Sequence, residues 1–338
     1  MNKQIPALFL ILFLAGCSTI GQAASFSGDP TAVMQTSVAQ QVATMAVQQT
    51  VVAMQVQTMQ AALPTTTFTP APPTAIPPTA TATVEVINTP VAGPLTDPQN
   101  SLTSKGWGQA SIVPESISAR AKEIYQTGLK LGNDPHHFSI AGDCQSVPNM
   151  FMGVYDGDRY RLSDKDQNLA ETIAWFKGQF GRQGVAVHQG YGITTILDPK
   201  FSDPKLCTPD ETPLDCEFRV NKPSFLFILM GTNWKNGDAE GYDKYLRQVV
   251  DLSIQHGVVP ILASKIDNIE GDHSINVVTA GTAHDYDIPY WNPWLAADPL
   301  PNHGLDSERE NVYFSYDAQS VREINGLRVL DAVWKGVR

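Results

Sequence analysis

The chain has 338 residues, a formal net charge of -11 and 42% hydrophobic residues. An acid excess of that size excludes nucleic acid as a natural partner and otherwise describes an ordinary solvated surface. No phosphate loop or dinucleotide fingerprint is present, so no cofactor is expected.

The first 16 residues read as an export signal. Lys3 supplies the positive end, and the apolar stretch Ala7 to Leu14 is too short to span a bilayer as a helix. It ends in Leu14-Ala15-Gly16-Cys17, which resembles the lipobox of bacterial lipoproteins. That resemblance implies cleavage before Cys17 and lipid attachment there. The partner at this end would be a membrane, and the rest would be extracytoplasmic, exposed at the cell surface. An ordinary secretory signal with an incidental cysteine is the alternative.

Residues 17–64 read as a helical stalk. No charged residue occurs between Asp29 and Glu85, and Thr31 to Leu63 lacks Gly and Pro. Val38, Val42, Met45, Gln49, Val52, Val56, Met59 and Leu63 recur at alternating four- and three-residue steps, a heptad seam with one polar interruption. Two readings follow: a coiled coil that makes a homo-oligomer through 31–63, or a lone helix, since Val and Thr are poor helix formers. Residues 65–100 are rich in Thr and Pro, as in Phe68-Thr-Pro-Ala-Pro-Pro-Thr. They predict an extended spacer with no core.

Residues 101–338 are long enough for one α/β domain. Apolar runs predict five strands: His137–Gly142, Val185–Gln189, Ser224–Met230, Val258–Ala263 and Ile288–Trp291. Helical patterns fall at Leu169–Phe180, Glu240–His256 (with Gly257 as stop), Ser274–His284 and Ala318–Trp334. Such alternation predicts a parallel sheet covered on both faces, with the ligand crevice beyond the strand carboxyl ends.

Three cysteines remain in the domain. Cys207 and Cys216 bracket a turn-rich loop, and export permits a disulfide between them. Neither belongs to a Cys-x-x-Cys or His cluster, so no metal site is expected. Asp164-Lys-Asp166-Gln-Asn168 begins like a calcium loop, but Leu169 and Trp175 stand where a glycine and a bidentate Glu belong. It reads instead as the polar start of a helix. Cys144 is left as an odd thiol.

The segments after the strands carry Gly142-Asp143-Cys144-Gln145-Ser146, then Gly190-Tyr191-Gly192, then Gly231-Thr232-Asn233-Trp234. After the fourth strand comes Lys265-Ile-Asp267-Asn268-Ile-Glu270-Gly-Asp272-His273. In this order the first three segments resemble the motif blocks of the SGNH/GDSL hydrolase superfamily: Gly-Asp-Ser, an oxyanion Gly, and Gly-x-Asn. The resemblance implies a flavodoxin-like, three-layer fold. It places Cys144 at the nucleophile and puts Gly190 (or Gly192) and Asn233 among the oxyanion donors. Asp143, Ser146, Trp234, Asp267, Asp272 and Tyr313 would line the substrate pocket. Trp291 and Trp294 would add aromatic walls suited to sugar or acyl groups, or pack in the core.

The departures from the pattern bear on chemistry. Cys144 replaces serine, and the block that should read Asp-x-x-His is Glu310-Asn311-Val312-Tyr313, which has no imidazole. A protonated phenol cannot activate water. His303 and His273 are the substitutes within the site-face segments. Three functional readings stand: a degenerate domain that binds ester-bearing carbohydrate or lipid with little turnover; an esterase using Cys144 with His303 or His273 as base; or a structural, self-associating surface protein.

Overall fold

The computed structural model describes residues 106–234, 238–310 and 312–338. The expected signal, Cys17, the heptad stalk and the Thr/Pro-rich spacer lie outside the described residues.

Four strands form one parallel sheet in the order β1-β2-β3-β4. They are β1 (Asp134–Gly142), β2 (Pro223–Leu229), β3 (Val259–Ala263) and β4 (Tyr290–Trp291). Every residue of β2 is buried, because helices cover both faces of a parallel sheet and leave no side for polar alternation. Its register sets Phe138 of β1 beside Phe225 and Ile140 beside Phe227, while Phe227 in turn faces Ile261 of β3.

The expected strand at 185–189 is corrected to a single bridge, between Val187 and Gly142. Its first backbone donor is taken elsewhere: the Val185 N–H donates to Glu217 Oε2 at 2.7 Å. Glu217 is fully buried, pairs with Arg182, and also accepts from Ser139 Oγ on β1 at 2.5 Å. A buried carboxylate with these donors stands where ladder hydrogen bonds would have run. The last strand is likewise two residues long, shorter than the run Ile288–Trp291 suggested.

The helices are α1 (Ala119–Leu131), α2 (Ala170–Trp175), α3 (Pro213–Asn221), α4 (Ala239–Gln255), α5 (Ser274–Tyr286), α6 (Pro293–Ala297) and α7 (Tyr316–Val337). Side-chain caps fix most of their starts: Ser118, Thr212, Asp238, Asn292 and Ser315 each accept a backbone N–H. The calcium-like run is a 3-10 turn, Asp164–Leu169, leading into α2; Asp166 sits in it and pairs with Arg328 of α7 at 2.8 Å. Helix α4 packs on α5, and α7 packs on α1 and α2. Gly257, in a left-handed turn (φ +66°) after α4, lies against Gly128 of α1. A Cβ on Gly128 would fall 2.1 Å from the Gly257 carbonyl oxygen, so neither position has room for a side chain.

The core is aromatic. Phe227 and Phe151 pack on the Trp291 ring with centroids 5.9 and 5.6 Å away, and Trp334 of α7 meets Phe176 and Trp175. Each such ring contributes roughly 1.5–3 kcal/mol by leaving water. Trp291 is fully buried in this cluster, so it is a core residue and not a pocket wall. Among the described residues, no helix is long and apolar enough to cross a membrane. The result is a rigid sheet whose carboxyl ends present Asp143, Gly231, Ser264 and Asn292.

Candidate functional site

Gly142 closes β1, and the chain turns at once. The Ser146 N–H donates to Asp143 O at 3.0 Å, and the Gln145 N–H donates to Asp143 Oδ1 at 2.9 Å. A side chain on Gly142 would put its Cβ 2.4 Å from Ser146 Cβ, so glycine is what lets the turn fold over the strand tip. Arg322 of α7 holds the turn from below. Its Nη1 donates to Gln145 O at 2.6 Å and its Nη2 to Ser146 Oγ at 3.1 Å, with Phe151 and Phe314 rings 4.3 and 5.3 Å from the guanidinium.

Arg322 and Asp143 are both buried. Burial pushes the Arg322 pKa down to about 10, with the Asp143 and Glu323 charges pulling back. Burial likewise raises the Asp143 carboxyl, opposed by the Gln145 N–H and the Arg322 charge. Asp143, Ser146, Thr232, Lys265 and Arg322 line a small, partly open cavity of ≈ 30 Å³. Asp143 and Ser146 therefore shape the floor of the site.

A second buried network fixes the third motif block. Thr232 Oγ1 donates to Asp267 Oδ2 at 2.7 Å, and Lys265 Nζ donates to Asp267 Oδ1 at 2.6 Å while also pairing with Glu270. The Asp267 carboxylate is committed to this network. Beside Thr232, Asn233 Nδ2 donates to Tyr191 O at 2.7 Å, which joins the third block to the Gly190 loop. The second block also touches the first: the Gly142 N–H donates to Ala186 O, and the His188 N–H donates to Gly142 O, each at 3.2 Å. The three blocks thus adjoin at one end of the sheet. One Asn233 N–H is already used on Tyr191, which leaves the other as the available donor.

The fourth block comes to the same place. Leu305 and Phe314 pair as an antiparallel bridge and close a loop between them. Gln145 Nε2 donates to Val312 O at 3.0 Å, which pins that loop beside the Cys144 turn. Tyr313 sits on it, and the Arg309 guanidinium stacks 3.6 Å from the Tyr313 ring centroid.

Cys144 is half-buried and takes no part in a disulfide. Burial and the Asp143 charge raise its pKa, partly countered by backbone N–H groups and by Arg309. The thiol form dominates at neutral pH, and the thiolate is the reactive one. His303 and His273 pack instead on Trp294, with ring centroids 4.8 and 5.5 Å away, and Trp107 adds to the cluster. Neither makes a hydrogen bond to Cys144 among the described residues. Each leaves a buried ring nitrogen without a partner there, and burial holds the His303 pKa down.

The remaining expected pocket residues serve the scaffold. Asp272 is exposed, and its Oδ1 accepts the Ser274 N–H at 2.9 Å at the start of α5. Trp234 packs on Tyr242 and Tyr245, and its Nε1 donates to Asp238 O at 3.0 Å. Cys207 and Cys216 are bonded, with Cα atoms 5.4 Å apart. Glu211 lies near them, but sulfurs in a disulfide are not thiolate ligands for a metal.

Two arginines at this site, Arg322 and Arg309, lie outside the motif blocks, and Lys265 lies in a site-face segment that assigns it no role. Arg322 carries a sequence signal: it falls with Ala318, Asn325, Gly326 and Val329 on the buried stripe of α7, where a cation needs a reason. Lys265 follows an apolar strand directly, and only the fold shows that it turns inward.

No family model matches the chain, and no curated protein does. Solved structures do. One is a lipolytic protein of the G-D-S-L family from Desulfitobacterium hafniense, at 12% identity and TM-score 0.40, covering 57% of this chain and 99% of that one. A GDSL-like lipase from Bacteroides thetaiotaomicron is 12% identical with TM-score 0.39, covering 62% and 97%. An acylhydrolase from Bacteroides fragilis is 13% identical with TM-score 0.41, covering 63% and 95%. Similarity of this degree assigns neither an activity nor a substrate.

Proposed function

We propose that the domain is a binding module for ester-bearing carbohydrate or lipid, held at the cell surface by lipid on Cys17, with little or no turnover. The observation that carries this reading is the Tyr313 loop. Where the superfamily pattern calls for an imidazole, the loop pinned beside Cys144 offers a phenol stacked under a guanidinium. Neither a phenol nor a guanidinium is the general base that an imidazole is. A thiol with a raised pKa attacks slowly, and Tyr313 supplies no imidazole to activate water for deacylation, a contribution commonly worth about 10²–10⁴-fold.

Short-chain activated esters test the reading. The expected result is at most one acyl group per chain, on Cys144, followed by negligible turnover. Steady turnover that is abolished by His303→Ala or His273→Ala would overturn it and make the protein a thiol esterase. Turnover that survives Cys144→Ala would move the chemistry away from this site altogether.

A further inference from the structure

The loop closed by Leu305 and Phe314 carries a charge that the site has not yet used. Arg309 is exposed, and among the described residues it forms no salt bridge, although Glu308 and Glu310 flank it in sequence. Its guanidinium lies flat on Tyr313, 3.6 Å from the ring centroid. Stacking fixes the plane of the group and leaves its N–H edge open, the geometry that binds a carboxylate, sulfate or phosphate through two parallel hydrogen bonds. The loop is held against the Cys144 turn by the Gln145 Nε2 bond to Val312 O. Asp143, the nearest acid of the turn, is buried and committed to the Gln145 N–H below.

We infer that Arg309, stacked on Tyr313 at the mouth of the Cys144 site, is an anion-binding group, so that the ligand carries an oxyanion beside the part that reaches Cys144. The inference rests on Cys144 lying at the ligand site, and it narrows the ligand to an anionic member of the proposed class. A fixed cation in place of a proton acceptor also suits a site that retains its ligand better than one that turns it over. It stabilises bound negative charge and supplies no route for a proton.

Two thiol reagents of nearly equal size test this directly, iodoacetate and neutral iodoacetamide. Full-length protein is alkylated at neutral pH and low salt, and peptide mass spectrometry reads the label at Cys144 separately from Cys17. The quantity measured is the ratio of the iodoacetate to the iodoacetamide rate, referenced to the same cysteine in unfolded chain. The ratio should exceed the unfolded value by about fivefold, the size of one screened charge at contact distance. It should collapse in Arg309→Gln, persist in part in Arg309→Lys, and decline with added salt. Circular dichroism on each variant confirms the fold, and the iodoacetamide rate is the reference within each variant, because loss of the Arg309 charge also raises the Cys144 pKa and slows both reagents alike.

The outcomes separate the two claims. If iodoacetamide labels Cys144 readily while iodoacetate gains nothing over the unfolded reference, the anion site is overturned and the binding module stands. An unchanged ratio in Arg309→Gln likewise removes Arg309 from the role. If folded Cys144 resists both reagents while the unfolded chain reacts, the thiol is not at an accessible site, and both readings fall.

Discussion

Arg322 and Asp143 face one small cavity with opposite charges, yet they form no direct ion pair; Arg322 spends its N–H groups on Gln145 O and Ser146 Oγ instead. The arginine therefore acts first as a brace for the Cys144 turn and only second as a counter-charge. Arg322→Met should destabilise the domain by about 3–5 kcal/mol, because it leaves buried acceptors and an uncompensated carboxyl together. The cost should grow with pH. A carboxyl whose pKa is raised on folding loses stability as pH climbs from its unfolded value through its folded one, and removing Arg322 raises Asp143 further. Adding Asp143→Asn should recover part of the loss. Urea unfolding at pH 4.5 and 7.5 measures all of it, and equal losses at both would contradict the coupling.

Asp166 gives the opposite pH sign. Burial pushes its pKa up, but hydrogen bonds from Ser163 and Arg328 and the Arg328 charge outweigh that and hold it below the ordinary value. Its contribution is thus present above the unfolded pKa and lost as pH falls through the folded one. Arg328→Met should cost about 1 kcal/mol at neutral pH after solvent screening, shrinking below about pH 4. Thermal melts across that range check it.

The Cys207–Cys216 bridge closes a short loop, with a sequence separation of 9. Replacing both cysteines by alanine should cost about 2–3 kcal/mol at most. The loss should fall short of that, because Glu211 holds Arg219 with Oε1 and Oε2, the latter at 2.8 Å, and its carbonyl accepts Ser202 Oγ. Thiol counting on folded, unreduced protein should find Cys144 reactive and the pair silent. A label on either member of the pair would contradict the bridge.

Gly257→Ala should be among the most damaging single-atom-scale changes. The new methyl would sit 2.4 Å from the Gly128 backbone in a left-handed turn, so α1 would have to leave the sheet or the turn unwind. A loss of more than about 3 kcal/mol is expected. An alanine at Gly132, also left-handed but with nothing within 4 Å, should cost far less. Comparable losses at the two positions would show that strain alone, and not contact with α1, sets the cost.

Much of this architecture is legible along the chain. The apolar run around Phe225–Leu229 announces a central strand because burial on both faces demands it, and Gly257 announces the end of α4 because only a left-handed turn fits there. The 185–189 run misleads for an equally physical reason. Val185, Ala186 and Val187 satisfy the strand pattern, but the competing acceptor, Glu217, arrives from a helix 32 residues away. Helix α3 begins inside the cysteine loop, where turn formers dominate the composition, and runs on past Cys216 to Asn221. At the site, the first and third motif blocks are readable because each follows a strand, while the second follows a run that makes only the Val187–Gly142 bridge. The roles of Asp267 and Asp272 are not, since a carboxylate aimed at a ligand, one held by a buried lysine and one that folds a turn have the same letters. Lys265 belongs with them: nothing in the sequence distinguishes a strand-end lysine that snorkels out from one that turns in to meet Asp267.

Asn292 illustrates how narrowly one position can be specified. Its Oδ1 accepts from Ser264 Oγ and from the Leu295 N–H, while its Nδ2 donates to the carbonyls of Trp107 and Ala110. It is a fully buried rivet through which the start of the domain, the third strand's end and a helix cap all pass. Only a side chain that is acceptor on one branch and double donor on the other closes that set. Aspartate, identical in outline, would turn an oxygen against two carbonyl oxygens; leucine, identical in bulk, would strand every partner at once. Loss of the amide group by slow hydrolysis is a change of one unit of mass, yet at this position it would unfasten the amino-terminal segment from the face that carries the site.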